Sequence, residues 1–239
     1  MSHSSSRRGF LTAGVALPLA NMAGIWEQTG RAATVRSDSA PRLSYRILGK
    51  TGLKVTTVGF GCAFTPDASV IERAADLGIN YFDTAPVYQG GNNERMVGAA
   101  LKRKRKDVLI STKVESSTSP LKTLENSLRE LQTDYVDVWC LHGRQRPESL
   151  TDELLEAQRL AKQQGKIRFA GVSTHDAKTI VPALIQKGVI DVMHATYNFS
   201  MDPSVGAALE QASRAGIGVV GMKVMAGGYR VLLPSETAT

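Results

Sequence analysis

Two patterns alternate along this chain, and they leave few folds open. Short runs rich in Val, Ile, Phe and Gly occur at TVGFGCA (57–63), NYFDTA (80–85), DVLISTK (107–113), YVDVWCLH (135–142), IRFAGVS (167–173), VMHATYN (192–198) and GVVGMKV (218–224). Between them lie six amphipathic segments, 69–78, 93–102, 121–132, 151–165, 178–188 and 205–216, with apolar residues at i, i+3 and i+4. Four of these end on the glycine that commonly follows a helix: Gly78, Gly165, Gly188 and Gly216. Asn92 and Thr151 are candidate N-caps. The runs restart about every 22–31 residues, the length of one strand-plus-helix unit. Alternating strands and helices dictate a parallel sheet, and near-continuous apolar strands are those covered on both faces. The expected fold is therefore an α/β, TIM-type (β/α)8 barrel. Such a barrel needs eight units and typically about 250 residues, and this chain has seven. A small hairpin, 44–49 and 53–57, precedes the first barrel strand. Its Gly49-Lys50-Thr51 turn lacks the glycine five positions earlier that a phosphate loop requires, since Ser44 stands there.

The bulk numbers exclude several classes. With 239 residues, 42% hydrophobic and 21% charged, the chain can bury a large core and is not of disordered composition. Of the net charge of +7, residues 1–40 carry +2, four Arg against Glu27 and Asp38. The densest basic run, Lys102 to Lys106, reads as a solvated helix end rather than a nucleic-acid surface, so no nucleic-acid partner is expected. Cys62 and Cys140 form neither a CxxC pair nor a metal-ligand spacing with His, and both read as small buried hydrophobes. No metal site is expected.

The first forty residues follow a different logic. Ser6-Arg7-Arg8-Gly9-Phe10-Leu11 precedes a Gly- and Ala-rich apolar run, 11–26. A charged start and a short apolar stretch spell a secretory leader. The stretch is too short for a stable membrane span and is broken by Pro18. The arginine pair resembles the twin-arginine (Tat) signal, which implies the Tat export machinery as a partner and a periplasmic destination; the alternative is a cytoplasmic protein. Candidate cleavage points follow Ala32 and Ala33. The organisation expected is a signal and linker over 1–42 and a barrel over 43–239.

Four residues able to handle protons fall at the ends of three consecutive strands: Asp83, Tyr88, Lys113 and His142. In an α/β barrel those ends share one mouth, where the chemistry is done. Hydride delivery to a carbonyl builds negative charge on oxygen, so a donor must supply a proton. A phenol such as Tyr88 is a weak acid that a neighbouring ammonium, Lys113, strengthens. A buried lysine needs a counter-charge, which Asp83 can provide. His142 can orient the carbonyl and stabilise charge on its oxygen. Each residue alone has a plainer role: a loop cap, a rim aromatic, a snorkelling lysine, a packed loop histidine.

With those residues in view, YRILGKTGLKVTTVGFG, GINYFDTAPVYQGGNNERMVGAAL, STK and VDVWCLHG together resemble the aldo-keto reductases, over about residues 43–230. The resemblance implies an (α/β)8 barrel, NADPH (NADH possible) as cofactor, and reduction of aldehydes or ketones. It maps an Asp-Tyr-Lys-His tetrad onto Asp83, Tyr88, Lys113 and His142. It also implies a cofactor cradle from Gly61, Cys62, Asp83, Ser173, Thr174, His194, Met222, Lys223 and Gly228, with Gly227 beside it. A pocket for a small carbonyl substrate would be bordered by Phe64, Tyr88, His142 and Arg144. Several places depart from the family. Thr174 stands where Asn is usual, His194 where Gln is usual, and Met222-Lys223-Val224-Met225 where an aromatic and Ser-Pro-Leu are usual. The chain stops at 234–239 without an eighth strand, so a fragment or a natural truncation is expected. The alternative to an exported reductase is a non-catalytic barrel serving as a binding module.

Overall fold

The computed structural model describes residues 43–115 and 118–225. The leader over 1–42, with Arg7-Arg8 and the candidate cleavage points, lies outside the described residues, as do Gly227, Gly228 and the segment 234–239.

The chain enters through an antiparallel hairpin, β1 (Tyr45–Ile47) and β2 (Lys54–Thr56), with Tyr45 opposite Thr56. Seven parallel strands follow: β3 (Phe60–Gly61), β4 (Tyr81–Asp83), β5 (Leu109–Val114), β6 (Val136–Leu141), β7 (Ile167–Thr174), β8 (Val192–Thr196) and β9 (Gly218–Met222). They are hydrogen-bonded in the same order as in sequence, so each crossover joins direct neighbours. The crossovers are α1 (Ala68–Asp76), α2 (Asn92–Leu101), α3 (Pro120–Glu130), α4 (Asp152–Gln163), α5 (Ala177–Lys187) and α6 (Pro203–Arg214). Consecutive parallel neighbours joined by right-handed crossovers place the helices on one face and curl the sheet around the other. The result is an α/β fold with a curled, seven-stranded half-barrel. Among the described residues no eighth strand joins β9 to β3.

The helices begin and end where local chemistry directs. Asp67, Thr151, Asp176 and Asp202 cap α1, α4, α5 and α6 by accepting a backbone N–H of the first turn, each cap worth about 1 kcal/mol. Asn92 is instead the first residue of α2; the cap position belongs to Gly91, and the Asn92 side chain accepts from Arg95. The expected first barrel strand, 57–63, shrinks to two residues. Thr57 N–H is still committed to Ser44 of the hairpin, and Thr56 is tied through side chains to Asn80 and Val58, so the chain spends 57–59 leaving the hairpin. The basic run after α2 is partly consumed by ion pairs. Lys104 pairs with Asp76, and Arg105 reaches the buried Asp137 at 3.0 Å.

Alternation along each strand sorts side chains into two packed layers. Phe82, Ile110, Val114, Trp139, Leu141, Val172 and Met193 point outward against the helices. Residues of opposite parity, Tyr81, Leu109, Val138, Cys140, Val192 and Val220, face the inside of the curl. The hairpin closes its floor with Leu48, Leu53 and Val55. Each fully buried aliphatic side chain in these layers contributes about 1.5–3 kcal/mol. The Gly49-Lys50-Thr51 turn docks on the start of β9: Lys50 N–H donates to Gly216 O at 2.9 Å. A Cβ at Gly49 would lie 2.4 Å from Gly218 N, and its φ of +53° lies in the left-handed region that favours glycine.

Candidate active site

The inner-face parity that builds the floor also aims Asp83, Lys113 and His194 into the curl, at the C-terminal ends of β4, β5 and β8. Lys113 is 1% exposed. Its Nζ donates to Asp83 Oδ2 at 2.6 Å and to Thr84 O at 2.7 Å. Thr84 is held in turn by Asn93, its hydroxyl donating to Asn93 Oδ1 at 2.6 Å while Asn93 Nδ2 donates to Cys62 O. Burial alone would push Lys113 down, but the carboxylate outweighs it and the ammonium titrates above its ordinary range. Burial would push Asp83 up, yet Lys113 and His194 hold it below the usual carboxylate range. The pair is therefore a closed ion pair across neutral pH.

Tyr88 opens the 3-10 turn after β4 (Tyr88–Gly91). Lys113 Nζ lies 4.8 Å from the centre of its ring, and the His142 ring meets it edge-on at 6.0 Å. The phenol rises above its ordinary value because it is half-buried; Lys113 pulls the other way, as expected from sequence, without overcoming burial. Tyr88 is thus a protonated donor at neutral pH. His142, directly after β6, is lowered by burial and by Lys113, and is a neutral imidazole there. Its Nδ1 lies 3.0 Å from Glu115 Oε1, in a geometry that falls short of a hydrogen bond.

The other sequence candidates are distributed as follows. Ser173 Oγ accepts from Gly143 N–H at 2.9 Å, and Thr174 binds Gln145 and the backbone of Asp176, so both knit the loops after β6 and β7. Gly61 stands opposite Asp83 across the β3–β4 pairing, with open space where a Cβ would be. Cys62 is fully buried, its N–H on Asp83 O, and burial pushes its thiol far up. Met222 and Lys223 end β9 at the mouth. Lys223 adopts a left-handed φ of +54°, and its carbonyl accepts from Asn198 Nδ2. Lys223 is close enough to His175 to lower that imidazole, after burial. Phe64 is 75% exposed at the rim. Arg144 is half-buried; one of its Nη donates to Glu115 O, while its enclosed Nε has no hydrogen-bond partner among the described residues. His194 has turned inward: Nε2 lies 2.7 Å from Tyr81 Oη and Nδ1 lies 3.3 Å from Asp83 Oδ1.

Sequence reading overlooked Tyr81, Asn93, Glu115, Gln145 and His175. Tyr81 was recoverable, since it sits two residues before Asp83 and shares its face. Asn93 was absorbed into a helix pattern, and the loop residues carry no periodicity to mark them. Among the described residues no group of three or more His, Cys, Asp or Glu could hold a metal ion, and no helix is long and apolar enough to cross a membrane.

The curled parallel sheet thus carries an Asp–Lys ion pair, a phenol and an imidazole at the C-terminal ends of β4, β5 and β6. The chain belongs to the aldo/keto reductase family, whose family model matches residues 62–231. It is 32% identical over 213 residues to L-galactose dehydrogenase of Arabidopsis thaliana, covering 78% of this chain and 67% of that one. It is 32% identical over 167 residues to the Bacillus subtilis oxidoreductase YqkF, covering 62% of this chain; it spans 54% of YqkF, about half its length. Among solved structures, aldo-keto reductase AKR11C1 from Bacillus halodurans in its holo form aligns with a TM-score of 0.70 at 30% identity, over 83% of this chain and 71% of that one. An aldo/keto reductase from Klebsiella pneumoniae, solved in complex with NADP and acetate, aligns with a TM-score of 0.65 at 26% identity, over 78% and 70%.

Proposed function

We propose that this chain reduces aldehydes or ketones with NADPH, using Tyr88 as the general acid. The observation that carries the reading is the 2.6 Å Asp83–Lys113 pair, with the buried Lys113 Nζ over the Tyr88 ring and His142 edge-on to that ring. Bound NADPH would supply a hydride. The mouth suits such a dinucleotide: Gly61 leaves open space, Met222 offers a polarisable side chain at a strand end, and Lys223 offers a positive donor. Ser173 still has its own O–H to donate, because its hydroxyl only accepts from Gly143.

In this reading each residue has one task. His142, neutral and half-buried, donates to the carbonyl oxygen and fixes its orientation. As negative charge develops on that oxygen, Tyr88 passes it a proton. The Lys113 ammonium then stabilises the phenolate, and burial strengthens that attraction. Asp83 holds Lys113 charged and in place. Membership of the aldo/keto reductase family supports carbonyl oxidoreduction as the reaction class. We also propose Tat-dependent export to the periplasm, on the Arg7-Arg8 motif alone. Fusion of residues 1–42 to a reporter should give export in Tat-competent cells and none in a Tat-deficient strain.

The decisive assay follows NADPH oxidation with a nitrobenzaldehyde, comparing the wild type with Tyr88→Phe. Loss of the acid should cost about 10²–10⁴-fold in rate while NADPH still quenches protein fluorescence. Equal turnover by both proteins would sink the assignment of Tyr88. Neither turnover nor NADPH binding would instead favour a non-catalytic binding module.

A further inference from the structure

A buried imidazole must satisfy two nitrogens, and those of His194 are satisfied unusually. The residue is 1% exposed on the inner face of β8. Nε2 meets Tyr81 Oη at 2.7 Å, and Nδ1 faces Asp83 Oδ1 at 3.3 Å. That oxygen of Asp83 makes no hydrogen bond among the described residues, the 3.3 Å approach of His194 being a charge-facing contact; its twin, Oδ2, is taken by Lys113. Only three charge arrangements fit this chain of groups. With the imidazole neutral and its proton on Nε2, Nδ1 would turn a lone pair toward a carboxylate. With the imidazole protonated, two cations would share one carboxylate in a buried site. With the proton on Nδ1, every contact is complementary: Tyr81 O–H donates to Nε2, the positive edge of Nδ1–H faces the Asp83 Oδ1 carboxylate oxygen at 3.3 Å, and Asp83 Oδ2 accepts from Lys113. Tyr81 suits the donor role because burial keeps it a phenol.

We infer that His194 is a positioning residue for the reductase chemistry: held by Tyr81 in its Nδ1–H tautomer, it grips Asp83 and thereby fixes Lys113 beneath Tyr88, instead of reaching out of the sheet to a ligand. The kinetic consequences rest on the proposed reductase reading, but the hydrogen-bond chain does not. It predicts that deleting the imidazole loosens one end of the Asp83–Lys113 pair and is felt at Tyr88 through a network. The ionisable groups crowded around Asp83 are Tyr81 on its own strand, Lys113 on β5, Cys140 on β6, Cys62 after β3 and Tyr88 after β4. Of these only Lys113 bonds the Asp83 carboxylate directly, and Tyr81 reaches it through His194.

Two measurements test the inference. In the ligand-free full chain, long-range ¹H–¹⁵N correlation of the imidazoles reports each tautomer; the chain has four histidines, and His194→Gln identifies the signal of interest. The expected result at about pH 8 is the Nδ1–H tautomer. Its Nδ1 proton should shift in Asp83→Asn, and its Nε2 resonance should shift in Tyr81→Phe. An Nε2–H tautomer, or a signal indifferent to Asp83→Asn, overturns the inference whether or not the protein is active. In kinetics, His194→Leu should lower kcat by roughly tenfold and displace the basic limb of the pH profile, with the KM for NADPH within about twofold of wild type. His194→Gln, which restores an N–H beside Asp83, should recover most of that loss. If His194→Leu fails to fold, Tyr81→Phe carries the same comparison. A large rise in the KM for NADPH with kcat and profile unchanged would make His194 a cofactor ligand and overturn the positioning role. A wild type that reduces no carbonyl would defeat the proposed function, leaving the tautomer measurement to decide this one.

Discussion

Replacing Asp83 by Asn should reveal how much the closed ion pair is worth. The substitution keeps the shape and one acceptor oxygen but removes the charge, leaving Lys113 at 1% exposure with Thr84 O as its other partner. Removing one member of a buried pair typically costs about 3–5 kcal/mol. The Asp83 side chain keeps 19% of its exposure, so solvent screens part of the pair and the low end, about 3 kcal/mol, is expected. With a urea m-value of about 2–3 kcal/mol/M, that lowers the unfolding midpoint by about 1–1.5 M at neutral pH. The pH dependence follows from the two shifts. Asp83 titrates below its unfolded value, so its contribution is present above about pH 4 and is lost as pH falls through the folded value. Lys113 titrates above its unfolded value, so its contribution is full below about pH 10 and is lost as pH rises through the folded value. The wild type should therefore outlast Asp83→Asn by a constant margin between those limits, and the margin should narrow outside them. The double variant Asp83→Asn, Lys113→Met removes the orphaned cation and should recover about 2 kcal/mol of the loss. A midpoint unchanged within about 0.3 M, or a double variant no more stable than Asp83→Asn, would refute the claim that charge pairing holds this site.

Other outcomes follow from the same coordinates. Cys62 and Cys140 are fully buried, and burial pushes the Cys140 thiol up to about 12. A thiol reagent at pH 8 should label neither in the native protein and both in denaturant; rapid native labelling would contradict the packing. Gly171→Ala would place a methyl 2.6 Å from Cys140 Sγ and 2.8 Å from Val138 Cγ1. It should cost about 1–3 kcal/mol in a urea titration, whereas Gly165→Asn, at an exposed helix end with φ of +70° and open space, should change stability by less than about 1 kcal/mol.

The layout of the fold was legible in advance because it depends on local periodicity. Seven apolar runs became seven parallel strands in sequence order, and six amphipathic segments became their crossovers. Strand parity sufficed to gather Asp83 and Lys113 on one face, and glycines marked the helix ends. Boundaries were less legible. The first barrel strand shortened because Thr56 and Thr57 were already claimed by Asn80 and Ser44, partners 24 and 13 residues away.

What sequence alone determined is the order of strands and the set of residues brought to one end of the sheet, since both follow from patterns within a few residues of each other. What only the tertiary structure decided is how those residues are charged and whom they touch. Burial, which no local pattern states, lifted Tyr88 above its ordinary value against the pull of Lys113. It also enclosed His194 between Tyr81, which it meets at 2.7 Å, and the Asp83 carboxylate, which it faces at 3.3 Å. Ionisation and hydrogen-bond partners are set by groups 30 and 113 residues apart, and only the folded chain brings them within 3 Å.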